Sequence, residues 1–182
     1  MIFANAREFA RFVGRIAAAF ALILTLCHGP ADAEGGTLPL PQSAPILTMT
    51  GAVANTNAAG SATFDAAMFA ALPRQRITTS TPWYDQPRTF EGPLLRDLLA
   101  ATGASGRMLK VEALNDYAAL VPFSDALAYN VIIADRIDGE LIPIRGRGPL
   151  FIIYPFDQMP QLKTEQYYQR AVWQVKSIEV RP

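Results

Sequence analysis

The stretch ITTSTPWYDQPRTFEGPLLRDLLAATG, residues 77–103, contains strand and helix signals in quick succession. Its threonine-rich beginning predicts a strand that ends at Pro82, and RTFEG, residues 88–92, predicts a second, shorter strand. Pro93 then falls in the first turn of a predicted helix whose four leucines share one face, and Gly103 suits the left-handed position that ends such a helix. The stretch therefore predicts a fold that mixes strands and helices.

Short strands are predicted on both sides of this stretch. Alternating or continuous apolar runs indicate strands at residues 46–53, 74–81, 108–114, 118–123, 130–137, 150–155 and 171–180. Asp65 and Ser124 are expected to cap two further short helices, and the pair Asp138 and Gly139 suits a hairpin turn. Many strands with two or three short helices predict an α+β fold with a mixed, mostly β core.

The beginning of the chain has the layout of a secretory signal peptide. Arg7, Arg11 and Arg15 precede the apolar run of residues 16–27. This run is shorter than the roughly 18 or more residues of a membrane-spanning helix. We therefore expect cleavage after Ala33, a periplasmic location and no direct membrane insertion of the processed protein.

The processed chain is predicted to contain one domain. Residues 34–45 hold three prolines and are expected to form a flexible leader, and residues 46–182 are sufficient for a single domain with its own core. Removal of residues 1–33 takes away three of 16 basic and two of 16 acidic residues, which leaves a net charge near −1. A chain of this charge has no overall attraction for nucleic acid.

Cys27 and His28 are the only cysteine and the only histidine of the chain, and both precede the predicted cleavage point. The processed protein therefore has no disulfide, no thiolate or imidazole metal ligand, and no nucleophile that depends on cysteine or histidine. Any catalysis would have to use carboxylates, tyrosine, lysine, arginine or a bound cofactor.

Five motifs follow one another in an order that is typical of one enzyme family. They are TSTPW, FEGPLLRDLL with ATG, LNDYAALVPFSDAL, NVIIADRIDGELIPIRGRGPLFIIYP and YYQRAVWQVKSIEV. In this order they resemble the molybdopterin-binding oxidoreductase domain, which is the catalytic domain type of sulfite oxidase. The resemblance covers about residues 46–181 and implies that family's fold, a molybdopterin cofactor and redox catalysis.

The resemblance fails at the metal ligand. In the family, a cysteine four residues before the tryptophan binds molybdenum through its thiolate, and the corresponding position before Trp83 is Thr79. A threonine hydroxyl is a hard, neutral donor that does not replace a thiolate on a soft metal. The three arginines of the signal also lack the adjacent pair that is typical of export with a cofactor already bound. We therefore expect no metal and no cofactor, and molybdopterin follows from the resemblance alone.

Candidate ligand-pocket residues are polar or aromatic and lie where the family's pocket opens or beside glycines and turns. They are Thr79, Trp83, Tyr84, Asp85, Arg88, Asn115, Asp116, Arg145 and Arg147. Each has a structural alternative. The tryptophan could fill the space of a pterin as a core residue, the arginines could belong to a solvated turn, and the Asn-Asp pair could form an Asx turn. No catalytic residue is assigned.

Three functions are compatible with these observations. The first is a periplasmic binding, sensing or accessory module that recognises a small ligand on a fold that has lost its metal. The second is a genuine oxidoreductase that binds a molybdopterin-type cofactor without a protein thiolate, so the sequence leaves enzymatic activity open. The third is a structural partner subunit of a membrane-bound redox or signalling complex, whose partner would be a periplasmic or membrane protein. The contact surface would then be the long polar segment of residues 157–170, which is predicted to be an irregular loop.

Overall fold

The computed structural model of the protein describes residues 38–182, which all belong to one compact unit. The predicted signal peptide, with Cys27, His28 and the cleavage point after Ala33, lies outside the described residues. Residues 38–45 have no regular secondary structure, and the boundaries drawn at residues 34 and 46 stay predictions. No helix within the described range has the length and apolar character needed to cross a bilayer.

Strands make up the larger part of the regular structure. The strands of residues 38–182 are, in chain order, β1 (Leu47–Gly51), β2 (Ala62–Phe64), β3 (Arg74–Thr81), β4 (Tyr84–Pro93), β5 (Met108–Ala113), β6 (Ala118–Pro122), β7 (Ile132–Ala134), β8 (Arg136–Ile137), β9 (Glu140–Leu141), β10 (Phe151–Ile153) and β11 (Val175–Arg181). The α-helices of the same range are α1 (Ala66–Ala70), α2 (Leu95–Ala101), α3 (Phe123–Ala128) and α4 (Glu165–Arg170). Single 3-10 turns lie at Ile144–Gly146 and Pro160–Leu162. The predicted α+β class with a mostly β core is confirmed.

The strands form three sheets in the described part of the chain. The first has the order β2-β1-β11-β5-β6, and within it only β1 and β11 are parallel. The second is an antiparallel sheet with the order β3-β4-β8-β9, and the third is the antiparallel pair of β7 and β10. Because β11 lies in the middle of the first sheet, the last strand of the described residues pairs with the first, β1, as well as with β5.

A single hydrophobic cluster connects the sheets, and β10 runs through it. Its three residues are fully buried, as are the aromatic side chains that follow it, Tyr154 and Phe156. Burial of each such side chain contributes about 1.5–3 kcal/mol. The continuous apolar run LFIIYP is thus a core strand, and it fixes the position of the aromatic side chains that pack on Phe151.

Several local predictions are confirmed. Asp65 caps α1, since its carboxylate accepts a hydrogen bond from the backbone N–H of Met68 at 2.9 Å. The four leucines of the predicted helix are all buried around α2. Gly103 adopts the left-handed conformation after this helix with φ +58°, and Asp138 and Gly139 both have positive φ in the turn between β8 and β9.

Other local predictions are wrong. Ser124 lies inside α3, which begins at Phe123 directly after Pro122 and has no side-chain cap. Residues 130–137 are not one strand, because β7 pairs with β10 whereas β8 pairs with β4. The change of partner occurs at Asp135, whose carboxylate forms an ion pair with Arg74.

The helix prediction also needs two corrections. Pro93 ends β4 instead of opening the helix that follows. The described residues contain four short α-helices instead of two or three, because α4 forms inside the segment expected to be irregular. The sequence of α4, EQYYQR, has no apolar periodicity that would have predicted it.

Asp65 also anchors the first described residues. Its second carboxylate oxygen accepts hydrogen bonds from the backbone N–H groups of Gln42 at 2.7 Å and Ser43 at 3.1 Å. The hydrogen bonds from Met68, Gln42 and Ser43 hold the pKa of Asp65 below its ordinary value. The folded state therefore favours the ionised carboxylate.

We expect Asp65→Asn to lower the free energy of unfolding at neutral pH and to lose this effect in acid. Asparagine still caps a helix, but it has one acceptor oxygen and its amide group would face the N–H donors of Gln42 and Ser43. Because the pKa is lowered on folding, the carboxylate contributes stability above about pH 4, and this contribution disappears as the pH falls through the folded-state pKa. Thermal unfolding of both forms from neutral pH downward tests this, and a difference that stays constant with pH would contradict it.

Candidate functional site

Thr79, the position at which the resemblance places a metal-binding cysteine, lies near the end of β3 and is only 1% exposed. Its hydroxyl oxygen accepts a hydrogen bond from the backbone N–H of Asp157 at 3.0 Å. The Asp157 carboxylate accepts in turn from the backbone N–H and the hydroxyl of Ser80 at 2.7 and 3.0 Å. The segment that follows β10 therefore covers position 79.

An ion pair also stabilises the segment that covers Thr79. Lys163 forms an ion pair with Asp157, and this contact, with the hydrogen bonds from Ser80, holds the pKa of Asp157 below its ordinary value. The carboxylate is thus ionised at neutral pH and stays a hydrogen-bond acceptor for the end of β3.

The residues around position 79 do not fit a thiolate-bound metal. Residues 38–182 contain no cysteine, and the hydroxyl of Thr79 is a neutral donor that is already engaged with the backbone. Within the same residues, no three His, Cys, Asp or Glu side chains are arranged to hold a metal ion. Position 79 therefore lacks the soft ligand that a thiolate-bound metal would need.

A cavity of about 310 Å³ opens beside Trp83, four residues after the covered residue Thr79. Four of its lining side chains are aromatic, Trp83, Tyr117, Tyr168 and Trp173, and we call this cavity the aromatic cleft. Its volume is at the lower end of the range of small-molecule sites, and its mainly apolar lining with a few polar groups is typical of them.

The rings of the aromatic cleft meet at steep angles. The plane of Trp83 is inclined by 80° to that of Trp173, with 5.6 Å between ring centroids, and by 80° to that of Tyr168, with 6.2 Å between centroids. Trp83 also packs on the buried ring of Phe151 at 5.3 Å. Trp83 therefore packs on the core and also lines the cleft, and its role in ligand binding stays a prediction.

Polar groups of the aromatic cleft come from Asn115, Glu165 and Gln169. The side-chain amide of Gln169 donates to the Glu165 carboxylate at 3.0 Å, and its backbone carbonyl accepts from the Tyr117 hydroxyl at 3.1 Å. Asn115 accepts from the backbone N–H of Tyr117 at 3.2 Å, so it forms the predicted Asx turn at the mouth of the cleft. Glu165 is the one charged residue among those that line it.

A buried polar network holds α4, which provides one wall of the aromatic cleft. Asp125 of α3, 5% exposed, accepts hydrogen bonds from the Tyr154 hydroxyl at 2.8 Å and from the Arg170 guanidinium at 3.0 Å. The guanidinium also lies 5.0 Å from the ring centroid of Tyr167, whose hydroxyl contacts that of Tyr129. Burial raises the pKa of Tyr154, which therefore stays a neutral donor.

Tyr84, Arg88 and Arg147 form a second group. The guanidinium of Arg147 lies 5.0 Å from the Tyr84 ring centroid and 5.6 Å from that of Trp173, and the guanidinium of Arg88 lies 5.5 Å from Tyr84. Tyr84 and Arg88 line a separate cavity of about 230 Å³. The neighbouring residues Trp83 and Tyr84 thus line different cavities.

The remaining candidates, Asp85, Asp116 and Arg145, are not among the residues that line either cavity. Asp85 and Arg145 are exposed, the latter in the 3-10 turn after β9. Asp116 has a φ of +63° and forms an ion pair with Lys176 at 2.8 Å, which lowers the pKa of Asp116. Of the nine predicted residues, the structure brings Trp83 and Asn115 together at the aromatic cleft.

The candidate list omitted five aromatic or polar residues of the aromatic cleft, Tyr117, Glu165, Tyr168, Gln169 and Trp173. The tryptophan is in a segment that the alternation predicts as strand, Tyr117 directly follows the predicted turn at Asn115 and Asp116, and the other three are in the segment predicted as loop. A usable signal was available, because the chain contains two tryptophans, Trp83 and Trp173, and both line this cleft. Pairing them across 90 residues of sequence needs the fold, since the bridge between Phe151 and Trp173 places the second one.

The fold is similar to that of the sulfane dehydrogenase SoxCD from Paracoccus pantotrophus. The TM-score is 0.55 at 17% sequence identity, and the similarity covers 74% of this chain but 37% of the SoxCD chain. At this identity the similarity shows the fold alone, and it supports the predicted oxidoreductase-like fold. No family model and no curated protein sequence matches the chain.

Proposed function

We propose that the protein is an exported, periplasmic module that binds a small ligand in the aromatic cleft, on an oxidoreductase-like fold that has lost its metal. One pair of observations supports this: the hydroxyl of Thr79 is engaged with the Asp157 backbone at 3.0 Å, whereas the cavity beside Trp83 is open. A fold keeps its architecture through its core, so a changed site can give it a new function.

The proposed role needs no reaction at the site. The residues that line the aromatic cleft can stack on a ligand and donate or accept hydrogen bonds. The tyrosine hydroxyls and the polar groups of Asn115 and Gln169 can orient a ligand. A partner protein that recognises the ligand-bound form is compatible with the proposal. Its contact surface would be the segment of residues 157–170, which contributes part of the lining of the cleft.

Metal analysis of the purified protein tests the loss of the metal. Protein from molybdate-supplied cells is expected to contain neither molybdenum nor tungsten in stoichiometric amount, because residues 38–182 offer no sulfur ligand other than methionine thioethers. A molybdenum enzyme prepared from the same cells is the positive control. One metal atom per chain would overturn the proposal in favour of an oxidoreductase that binds its cofactor without a thiolate.

We expect Trp83→Ala to abolish ligand-induced stabilisation. Small sugars, amines and carboxylates would be screened by thermal unfolding, where a compound at about a hundredfold its Kd stabilises by about 2.7 kcal/mol. Tyr84→Ala is the matched control, because it removes the adjacent aromatic ring, which lines the other cavity. A compound whose shift in melting temperature is the same in Trp83→Ala as in the natural protein would place the ligand site elsewhere.

A further inference from the structure

We infer that the aromatic cleft binds an organic cation that carries a quaternary ammonium group. This inference rests on the proposed function, because it names the ligand class of the same site. Three features support it: the charge of the lining, the arrangement of the rings and the state of the basic residues nearby.

The charge of the lining favours a cation. Glu165 contributes a carboxylate, and the other polar side chains are the amides of Asn115 and Gln169 and the hydroxyls of the two tyrosines. No lysine or arginine of the described residues lines the cleft, so an anionic ligand such as a phosphate would find no counter-charge there. A cation would be attracted by Glu165 without displacing a basic side chain.

The rings provide a second attraction for positive charge. Trp83 stands nearly perpendicular to both Trp173 and Tyr168, so rings in at least two orientations border the cavity. The faces of tryptophan and tyrosine rings carry partial negative charge, and sets of such rings bind quaternary ammonium groups. These groups have no N–H to donate, so an aromatic lining that offers few acceptors suits them.

The basic residues nearby are already paired. Arg170 is bound to Asp125, and Lys176 is bound to Asp116 at 2.8 Å. The Arg147 guanidinium lies 5.6 Å from the ring centroid of Trp173, although Arg147 is not among the residues that line the cleft. Because one ring already holds this guanidinium, we assign the ligand cation to the rings of Trp83, Tyr168 and Tyr117.

Intrinsic fluorescence provides a direct measurement, because the two tryptophans of the chain both line the cleft. Choline would be titrated into the full protein in parallel with dimethylbutanol, the neutral isostere in which carbon replaces the ammonium nitrogen. The two probes have the same shape, so a difference in affinity reports the charge. We expect the affinity for choline to be at least about tenfold higher than the affinity for dimethylbutanol.

Glu165→Gln tests the carboxylate. Glutamine keeps the shape and the acceptor oxygen that Gln169 contacts, so the fold is expected to be unchanged while the affinity for choline falls about threefold. The affinity for dimethylbutanol is expected to stay the same. Glu140→Gln, an equivalent change in the separate cavity, is the control and is expected to leave both affinities unchanged.

The outcomes separate this inference from the proposed function. Equal affinities for the two probes, no binding of choline, or a choline affinity that does not respond to Glu165→Gln would overturn the assignment of a cation. A neutral compound whose stabilising effect depends on Trp83 would then leave the binding module standing with another ligand class. Stoichiometric molybdenum would overturn both.

Discussion

Gly92→Ala is expected to destabilise the protein by about 3 kcal/mol or more, which corresponds to a loss of about 10 °C in melting temperature. Gly92 lies in β4 where this strand approaches the backbone of β7. A Cβ atom there would be 1.9 Å from the carbonyl oxygen of Ile133 and 2.8 Å from the Cα of Ala134. Both contacts are with backbone, so relief would require the two strands to separate.

Gly60→Ala is the matched control for this change. Gly60 has a φ of +67°, and a Cβ there would meet nothing within 4 Å, so alanine would cost only the backbone strain of about 1–2 kcal/mol. Chemical and thermal denaturation of both variants measures the difference. If Gly92→Ala were no more destabilising than Gly60→Ala, the close approach of β4 and β7 would not exist in solution.

Asp125→Ala is the second change with a large expected effect, a loss of about 3 kcal/mol in the free energy of unfolding. The change leaves the Arg170 guanidinium, whose side chain is 15% exposed, and the fully buried Tyr154 hydroxyl without their shared acceptor. An unpaired buried cation costs more than the ion pair contributes when it is intact. Denaturant unfolding at neutral pH measures the loss.

The position of Asp125 gives this variant a second readout. Its partner Arg170 belongs to α4, so release of the helix is expected to change the tryptophan fluorescence of the aromatic cleft as well as the stability. Glu179→Gln, which breaks an exposed ion pair with Arg181, is the control and is expected to change neither quantity measurably. A stable Asp125→Ala protein with unchanged fluorescence would refute the anchoring role.

Gly92→Ala and Asp125→Ala both test contacts that hold the fold together and not the chemistry of a binding site. Gly92 belongs to the FEGPLL motif that carries the resemblance to oxidoreductases, yet its contact with β7 is a requirement of packing. A motif that allows two strands to pack closely is needed for the fold whether or not a cofactor is bound. A chain can therefore resemble the family in its motifs while Thr79 and the cover over it differ from a metal site.

Local signals in the sequence were sufficient for many elements. The cap at Asp65, the leucine stripe of α2 and the turn at Asp138 and Gly139 each depend on neighbours within a few residues, so spacing predicts them. The exchange of partners between β7 and β8, and the formation of α4, depend on distant residues. Asp125 and Arg170, for example, are 45 positions apart.

The sequence by itself determined the α+β class, the approximate positions of most strands and the lack of cysteine and histidine after residue 28. These are properties of composition and of local periodicity. Only the tertiary structure decided that Asp157 covers Thr79 and that Trp173 and Glu165 join Trp83 in one cleft. The physical reason is that a site is formed by side chains from several elements, and the packing of the buried core, not their spacing in sequence, brings those elements together.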